Sequence, residues 1–217
     1  MKQNVLGNSD SRSIEEHCTF MPDDFYMRRV SHFAQLPIDN NDVIMLGDSL
    51  INGCEWHELI RNEHIKNRGI NGDTIAGVRY RAAATMQGLP RKVFVMIGIN
   101  DVSHNIAADD IANNIVALVD YLHTLSPATR IYLHSLLPFD SSYYYTSLEG
   151  KEQDVVTINR ILHDAADSHN YTYIELYKHF VRPQTDLLDA AYTTDGLHLN
   201  GQGYNLWAQL LQPYINE

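Results

Sequence analysis

The strongest constraint on the fold is a rhythm in the chain: short apolar runs, closed by glycine or proline, alternate with stretches of helical periodicity. Val43-Ile-Met-Leu46 ends in Gly47, Val93-Phe-Val-Met-Ile97 ends in Gly98, and Ile131-Tyr-Leu-His-Ser-Leu-Leu137 ends at Pro138. Such runs are too short for free-standing helices, are partly β-branched or aromatic, and stop at turn residues, so they read as buried strands. Tyr171-Thr-Tyr-Ile-Glu-Leu176 is a fourth; His64-Ile-Lys-Asn-Arg68 is a fifth, placed mainly because the alternation needs a strand there. Between them, Thr74 is suited to cap a helix carrying Ile75, Val78, Ala82 and Met86 on one face. Ile111, Ile115, Leu118 and Leu122 recur at helical spacing, as do Val155, Ile158, Leu162 and Ala165, and Trp207, Leu211 and Tyr214. Residues 12–36 read as a helical lead-in packing on the main body. This alternation predicts an α/β fold, a parallel sheet with helices on both faces. In such sheets ligands sit beyond the carboxyl ends of the strands, so chemistry is expected in the loops after residues 46, 68 and 97.

The 217 residues fit a single domain, 1–217, at roughly 100–200 residues per domain. With 44% hydrophobic residues, a core of this size needs no disulfide or metal to hold it. The net charge of −11 offers no basic surplus to displace counterions, so neither nucleic acid nor an anionic membrane is an expected partner. Cys18 and Cys54 are too few for a disulfide framework and read as free thiols of a reducing compartment. The first ten residues lack the apolar centre of a signal peptide, so a cytoplasmic location is expected, or a periplasmic or secreted one if a leader has been removed. No HExxH, HxH pair, Cys/His cluster, Walker loop or dinucleotide fingerprint occurs, and neither metal nor cofactor is expected.

The three loops hold suggestive residues. In Gly47-Asp-Ser-Leu50, Ser49 falls at a strand-to-helix turn, where it is either a helix cap or an exposed hydroxyl. In Asn67-Arg-Gly-Ile-Asn-Gly-Asp-Thr74, Gly69 and Gly72 open a helix whose bare N–H groups suit a developing negative charge. In Gly98-Ile-Asn-Asp101, Asn100 either donates into the same space or caps the next turn. A nucleophilic serine needs a base, and the base needs a carboxylate to fix its tautomer. Three histidines follow an aspartate by three residues: Asp101/His104, Asp120/His123 and Asp195/His198. The middle pair falls on the polar side of an amphipathic helix. The first is a rival, because it follows Asn100 directly. The third lies in Thr194-Asp-Gly-Leu-His-Leu-Asn200, just before the last helix, where a loop can lean over the strand ends.

Taken together, Gly47-Asp-Ser-Leu50, Asn67 to Thr74, Gly98-Ile-Asn-Asp101 and Asp195-Gly-Leu-His198 resemble, in order, the four blocks of the SGNH (GDSL) hydrolase family. Val30-Ser-His-Phe-Ala-Gln-Leu-Pro37 and Gly53-Cys-Glu-Trp56 are similar to bacterial members of the sialate O-acetylesterase-like and platelet-activating-factor-acetylhydrolase-like kinds. The resemblance implies a flavodoxin-like three-layer α/β/α sandwich with a five-stranded parallel sheet of order 2-1-3-4-5. It implies Ser49 as nucleophile, His198 as general base and acid, and Asp195 as its anchor. The oxyanion hole would be the backbone N–H groups of Ser49 and Gly72 and the side chain of Asn100. Many relatives carry proline after the block histidine, where this chain has Leu199; that departure touches loop stiffness. The implied activity is hydrolysis of a short-chain, acetyl ester of a carbohydrate or similar alcohol through an acyl-serine intermediate. The alternatives are a lysophospholipase or thioesterase, or a carbohydrate-binding relative without turnover. The expected partner is a small-molecule ester, and a homodimer is the assembly considered. Asp48, Trp56, Tyr143, Tyr144 and Tyr145 are the candidate substrate-lining residues.

Overall fold

The computed structural model describes residues 21–217. The rhythm of the sequence becomes a five-stranded parallel sheet of order β2-β1-β3-β4-β5. Its strands are β1 (Val43–Gly47), β2 (Ile65–Gly69), β3 (Lys92–Met96), β4 (Arg130–His134) and β5 (Thr172–Ile174). The helices are α1 (Asp24–Gln35), α2 (Ser49–Asn52), α3 (Trp56–Ile60), α4 (Ile75–Met86), α5 (Ile99–Ser103), α6 (Ala108–Leu125), α7 (Glu152–Ala165), α8 (Tyr177–Phe180) and α9 (Gly201–Asn216). Helices α1, α4, α6 and α7 pack side by side as one layer, and α3 packs against α9. Every residue of β1 and β3 is buried, which is what central strands covered on both faces require.

The helix reading holds where the apolar spacing is regular. Thr74 caps α4, accepting from Gly77 N at 3.3 Å, and Ile75, Val78, Ala82 and Met86 form its buried face. Asp23 caps α1, accepting from Tyr26 N at 2.7 Å. Of the lead-in expected over 12–36, α1 is the described part; residues 12–20, with Cys18, lie outside the described residues. Cys54 is buried and free.

Two strands end sooner than their apolar runs. β4 stops at His134 because Asn159 of α7 takes over the backbone beyond it, accepting from Leu136 N at 2.7 Å and donating to Leu136 O at 3.0 Å. β5 covers only Thr172–Ile174, after which Leu176 N turns to the Ser135 hydroxyl at 2.9 Å. Apolar runs report burial, and burial continues past the last ladder bond. No helix among the described residues is long and apolar enough to cross a membrane.

Candidate active site

At the carboxyl ends of β1, β2 and β3 the chain makes three turns, and each presents one side of a shared pocket. The first follows β1. Asp48 supplies the helix cap, its Oδ1 accepting from Leu50 N at 3.0 Å. Ser49 is therefore not the cap, and its hydroxyl is free to meet His198 Nε2 at 2.9 Å. Asp48 itself is fully buried, so its expected place on the pocket wall is corrected: it faces inward, with Oδ2 unpartnered. Burial pushes its acidity down until the pKa reaches about 7.

The second turn follows β2. Asn67 fastens it to the first, donating from Nδ2 to Ile51 O and Cys54 O at 2.9 Å while its Oδ1 accepts from Gly69 N at 2.8 Å. Gly72 takes φ +75° and a Cβ there would meet nothing within 4 Å, so its backbone stands open towards the pocket. Arg81, buried on α4, ties both turns together. It donates to Asp73 Oδ2 through Nε at 2.8 Å and to Gly47 O at 3.0 Å. The third turn carries Asn100, whose Nδ2 donates to Asp73 O at 2.8 Å. The cap of α5 is Gly98, so Asn100 does not act as one. An amide nitrogen carries two hydrogens, and the second remains available to the pocket. The N–H groups of Ser49 and Gly72 have no partner among the described residues.

The last piece comes from the loop before α9. Asp195 Oδ2 faces His198 Nδ1 at 2.8 Å, and Oδ1 accepts from Leu197 N at 2.9 Å and His198 N at 2.8 Å. These donors hold the Asp195 carboxyl down to about 2 despite its partial burial. Thr193 Oγ1 donates to His198 O at 2.7 Å, and a bridge between Thr193 and Leu199 closes and stiffens the loop. The rival pairs go elsewhere. Asp101 is buried and accepts from Ile75 N at 3.2 Å, while His104 is exposed; Asp120 meets His169 at 3.0 Å instead of His123.

The pocket has a volume of about 540 Å³, and Ser49, Gly72, Asn100, Tyr145 and His198 line it. Trp56 does not: it is wholly buried, edge-on to Tyr204 and Trp207, with Nε1 donating to Ile51 O at 2.8 Å. Its expected wall position is corrected for a physical reason, since an indole at the start of α3 buries more apolar area against α9 than it would in a wet groove. Tyr143 and Tyr144 are 40% and 75% exposed and are not among the lining residues; Tyr145 is, with its hydroxyl 3.0 Å from Asp195 Oδ2. Sequence reasoning missed this contact, and it missed Arg81, since helical spacing marks Arg81 only as a polar residue on α4.

A serine hydroxyl, an imidazole and a carboxylate in a chain of hydrogen bonds, beside three donors at the strand ends of a parallel sheet, define a Ser–His–Asp hydrolase architecture. The family model for the GDSL-like Lipase/Acylhydrolase family matches residues 45–206, and the chain belongs to that family. It is 31% identical over 123 residues to the platelet-activating factor acetylhydrolase IB subunit alpha2 of Homo sapiens, covering 54% of this chain and 53% of that protein. The match thus spans about half the length of the curated relative. In fold it is similar to a GDSL-like lipase from Bacteroides thetaiotaomicron, with a TM-score of 0.78 at 21% identity over 88% of this chain and 97% of that one. It is also similar to a mutant of an acetyl-xylooligosaccharide esterase from Geobacillus Stearmophilus, with a TM-score of 0.66 at 17% identity over 83% and 96%.

Proposed function

We propose that the protein is a serine esterase that removes a short acyl group, acetyl, from a carbohydrate or similar alcohol through an acyl-Ser49 intermediate. The observation that carries this reading is the 2.9 Å contact of Ser49 Oγ with an imidazole whose far nitrogen is held by Asp195 at 2.8 Å. His198 Nε2 takes the hydroxyl proton as Oγ attacks the ester carbon, and the carbonyl oxygen becomes an alkoxide. The N–H groups of Ser49 and Gly72 and the Asn100 side chain receive that charge. Collapse expels the alcohol, which leaves with the proton from His198. Water then repeats the sequence on the acyl-enzyme, releasing the acid and restoring Ser49.

The electrostatics around the hole support this. Asp48, Asp73 and Asp101 are buried near it, and ionised carboxylates there would oppose an oxyanion. Burial raises them to about 7, 6 and 7, and Arg81 lies against Asp73 as a counter-charge. Asn100→Ala is expected to lower kcat by about 10²–10³-fold, with KM little changed, because its donor matters only once charge develops. An unchanged kcat would remove Asn100 from the hole.

Acetyl is favoured by the names of two similar proteins, an acetylhydrolase subunit and an esterase of acetylated xylooligosaccharides. The acyl group is tested with p-nitrophenyl esters from acetate to decanoate. The expected profile peaks at acetate and falls at least about tenfold by octanoate. A long-chain optimum would replace the acetyl reading with a lysophospholipase or thioesterase, and a panel of acetylated sugars then tests the alcohol.

A further inference from the structure

We infer that Tyr145 is a positioning residue of the Ser49 site, whose hydroxyl fixes Asp195 and tunes how tightly His198 holds its proton. This rests on the esterase reading of the same site. Asp195 is surrounded by donors. Oδ1 accepts from two backbone N–H groups, of Leu197 and His198, and Oδ2 is shared by His198 Nδ1 at 2.8 Å and the Tyr145 hydroxyl at 3.0 Å. The phenol oxygen also lies 3.1 Å from Nδ1 itself. Since Nδ1 is closer to Oδ2, the imidazole hydrogen goes to the carboxylate and the phenol hydrogen goes there too.

Two consequences follow. Oδ2 is fixed from two directions, and the Tyr145 ring stands edge-on to His198, with centroids 5.9 Å apart. The phenol also stabilises negative charge on Asp195, so less of the carboxylate's field is left to favour an imidazolium. Removing the hydroxyl therefore raises the proton affinity of His198. Tyr145 keeps its own proton, because burial and Asp195 push its pKa up to about 12.

The hydroxyl is delivered by a braced loop. Asp140 N donates to Gly196 O at 2.7 Å and Arg182 donates to Asp140 Oδ2 at 2.7 Å. Gly196, at φ +85°, lies so close that a Cβ would stand 2.2 Å from Asp140 O. Leu148 N donates back to Tyr145 O at 2.9 Å, and Leu148 is buried. Tyr145, Ser147 and Leu148 also line the pocket, so the segment that a substrate touches is the one that holds the base. The other titratable groups around the pair are Asp48, behind Ser49, and Tyr204 of α9, whose hydroxyl donates to Leu50 O at 3.0 Å and lies near Cys54 and Glu55. None of these is on the loop, so Tyr145→Phe leaves them in place.

The test is Tyr145→Phe, with Tyr144→Phe as control because that ring is exposed. The His198 imidazole is titrated by NMR without substrate, its resonance identified with His198→Gln, and kcat/KM for an acetyl ester is followed against pH. Tyr145→Phe is expected to move the His198 titration and the acid limb of kcat/KM upward by about half to one pH unit. On that acid limb kcat/KM at a fixed pH is expected to fall by up to about three- to tenfold, carried by kcat, with KM changed less than about twofold. Tyr144→Phe should change neither. An unmoved His198 titration overturns the inference, as does a KM change with an unmoved acid limb, which would make Tyr145 a substrate contact. The NMR titration needs no turnover, so a wild-type protein inert towards every ester would end the esterase reading while leaving this result to stand or fall separately.

Discussion

Ser49→Ala is expected to lower kcat on an acetyl ester by about 10⁴–10⁶-fold while the protein keeps its fold. On the proposed mechanism the loss is large because the imidazole and the oxyanion donors act on a tetrahedral oxyanion that only attack by Ser49 generates; with the hydroxyl gone they stabilise nothing covalent. Stability should barely move, since Asp48 and not Ser49 caps α2. The check has two parts, steady-state kinetics and intact-mass labelling with a fluorophosphonate. A single adduct on Ser49 in the wild type, absent from Ser49→Ala, is the expected result. An adduct elsewhere, or a variant that retains turnover, would move the nucleophile. His104→Ala should leave kcat unchanged, because Asp101, its sequence partner, is committed to Ile75 N.

Arg81→Met is expected to cost about 3–5 kcal/mol near neutral pH, the scale for removing one partner of a buried ion pair. Arg81 and Asp73 are both essentially inaccessible to water, and their contact is 2.8 Å. The loss should also depend on pH. Desolvation raises Asp73 to about 6 even with Arg81 opposing it, so without Arg81 it rises further. A carboxyl whose folded pKa lies above its unfolded value binds more protons when folded. Its stabilising contribution is complete at low pH and is lost as pH rises through the folded pKa. The variant should therefore lie closer to wild type at pH 5.5, where Asp73 can stay protonated, than at pH 8. Urea denaturation at both pH values reads this directly. A loss independent of pH would mean that the stranded carboxylate is not its cause. Arg81→Met with Asp73→Leu should recover much of the difference, since a buried pair replaced by apolar groups is often nearly neutral. Kinetics should suffer too, because Arg81 holds Gly47 O beside Ser49 and Asp73 O positions Asn100.

Much of the fold was legible in the chain because the forces that set it act over short spans. A fully covered strand must be apolar on both faces, so the runs Val43–Leu46 and Val93–Ile97 announced themselves, while β2 had to be placed by the alternation because Lys66 and Asn67 are only half-buried. Thr74 and the apolar spacing behind it marked α4 for the same local reason. The pocket wall was less readable. Trp56, Tyr143, Tyr144 and Tyr145 are all large aromatics in plausible loops, yet one is in the core, two are exposed and one reaches Asp195. Side-chain direction at such positions depends on what another segment places opposite. For Trp56 that segment is α9; for Tyr145 it is the 193–198 loop.

The sequence by itself determined the strand and helix layers, the residues that stand at the carboxyl ends of the strands, and the family to which the chain belongs. These follow from hydrophobic period, turn chemistry and motif order. Tertiary structure alone decided which aspartate caps and which anchors an imidazole, which tyrosine of three reaches it, and how Arg81 binds the β1 and β2 turns together. Hydrogen bonds form across about 3 Å of space between groups as far apart in the chain as Ser49 and His198. Local spacing records only the neighbours along the backbone, and those partners meet only once the sheet has formed.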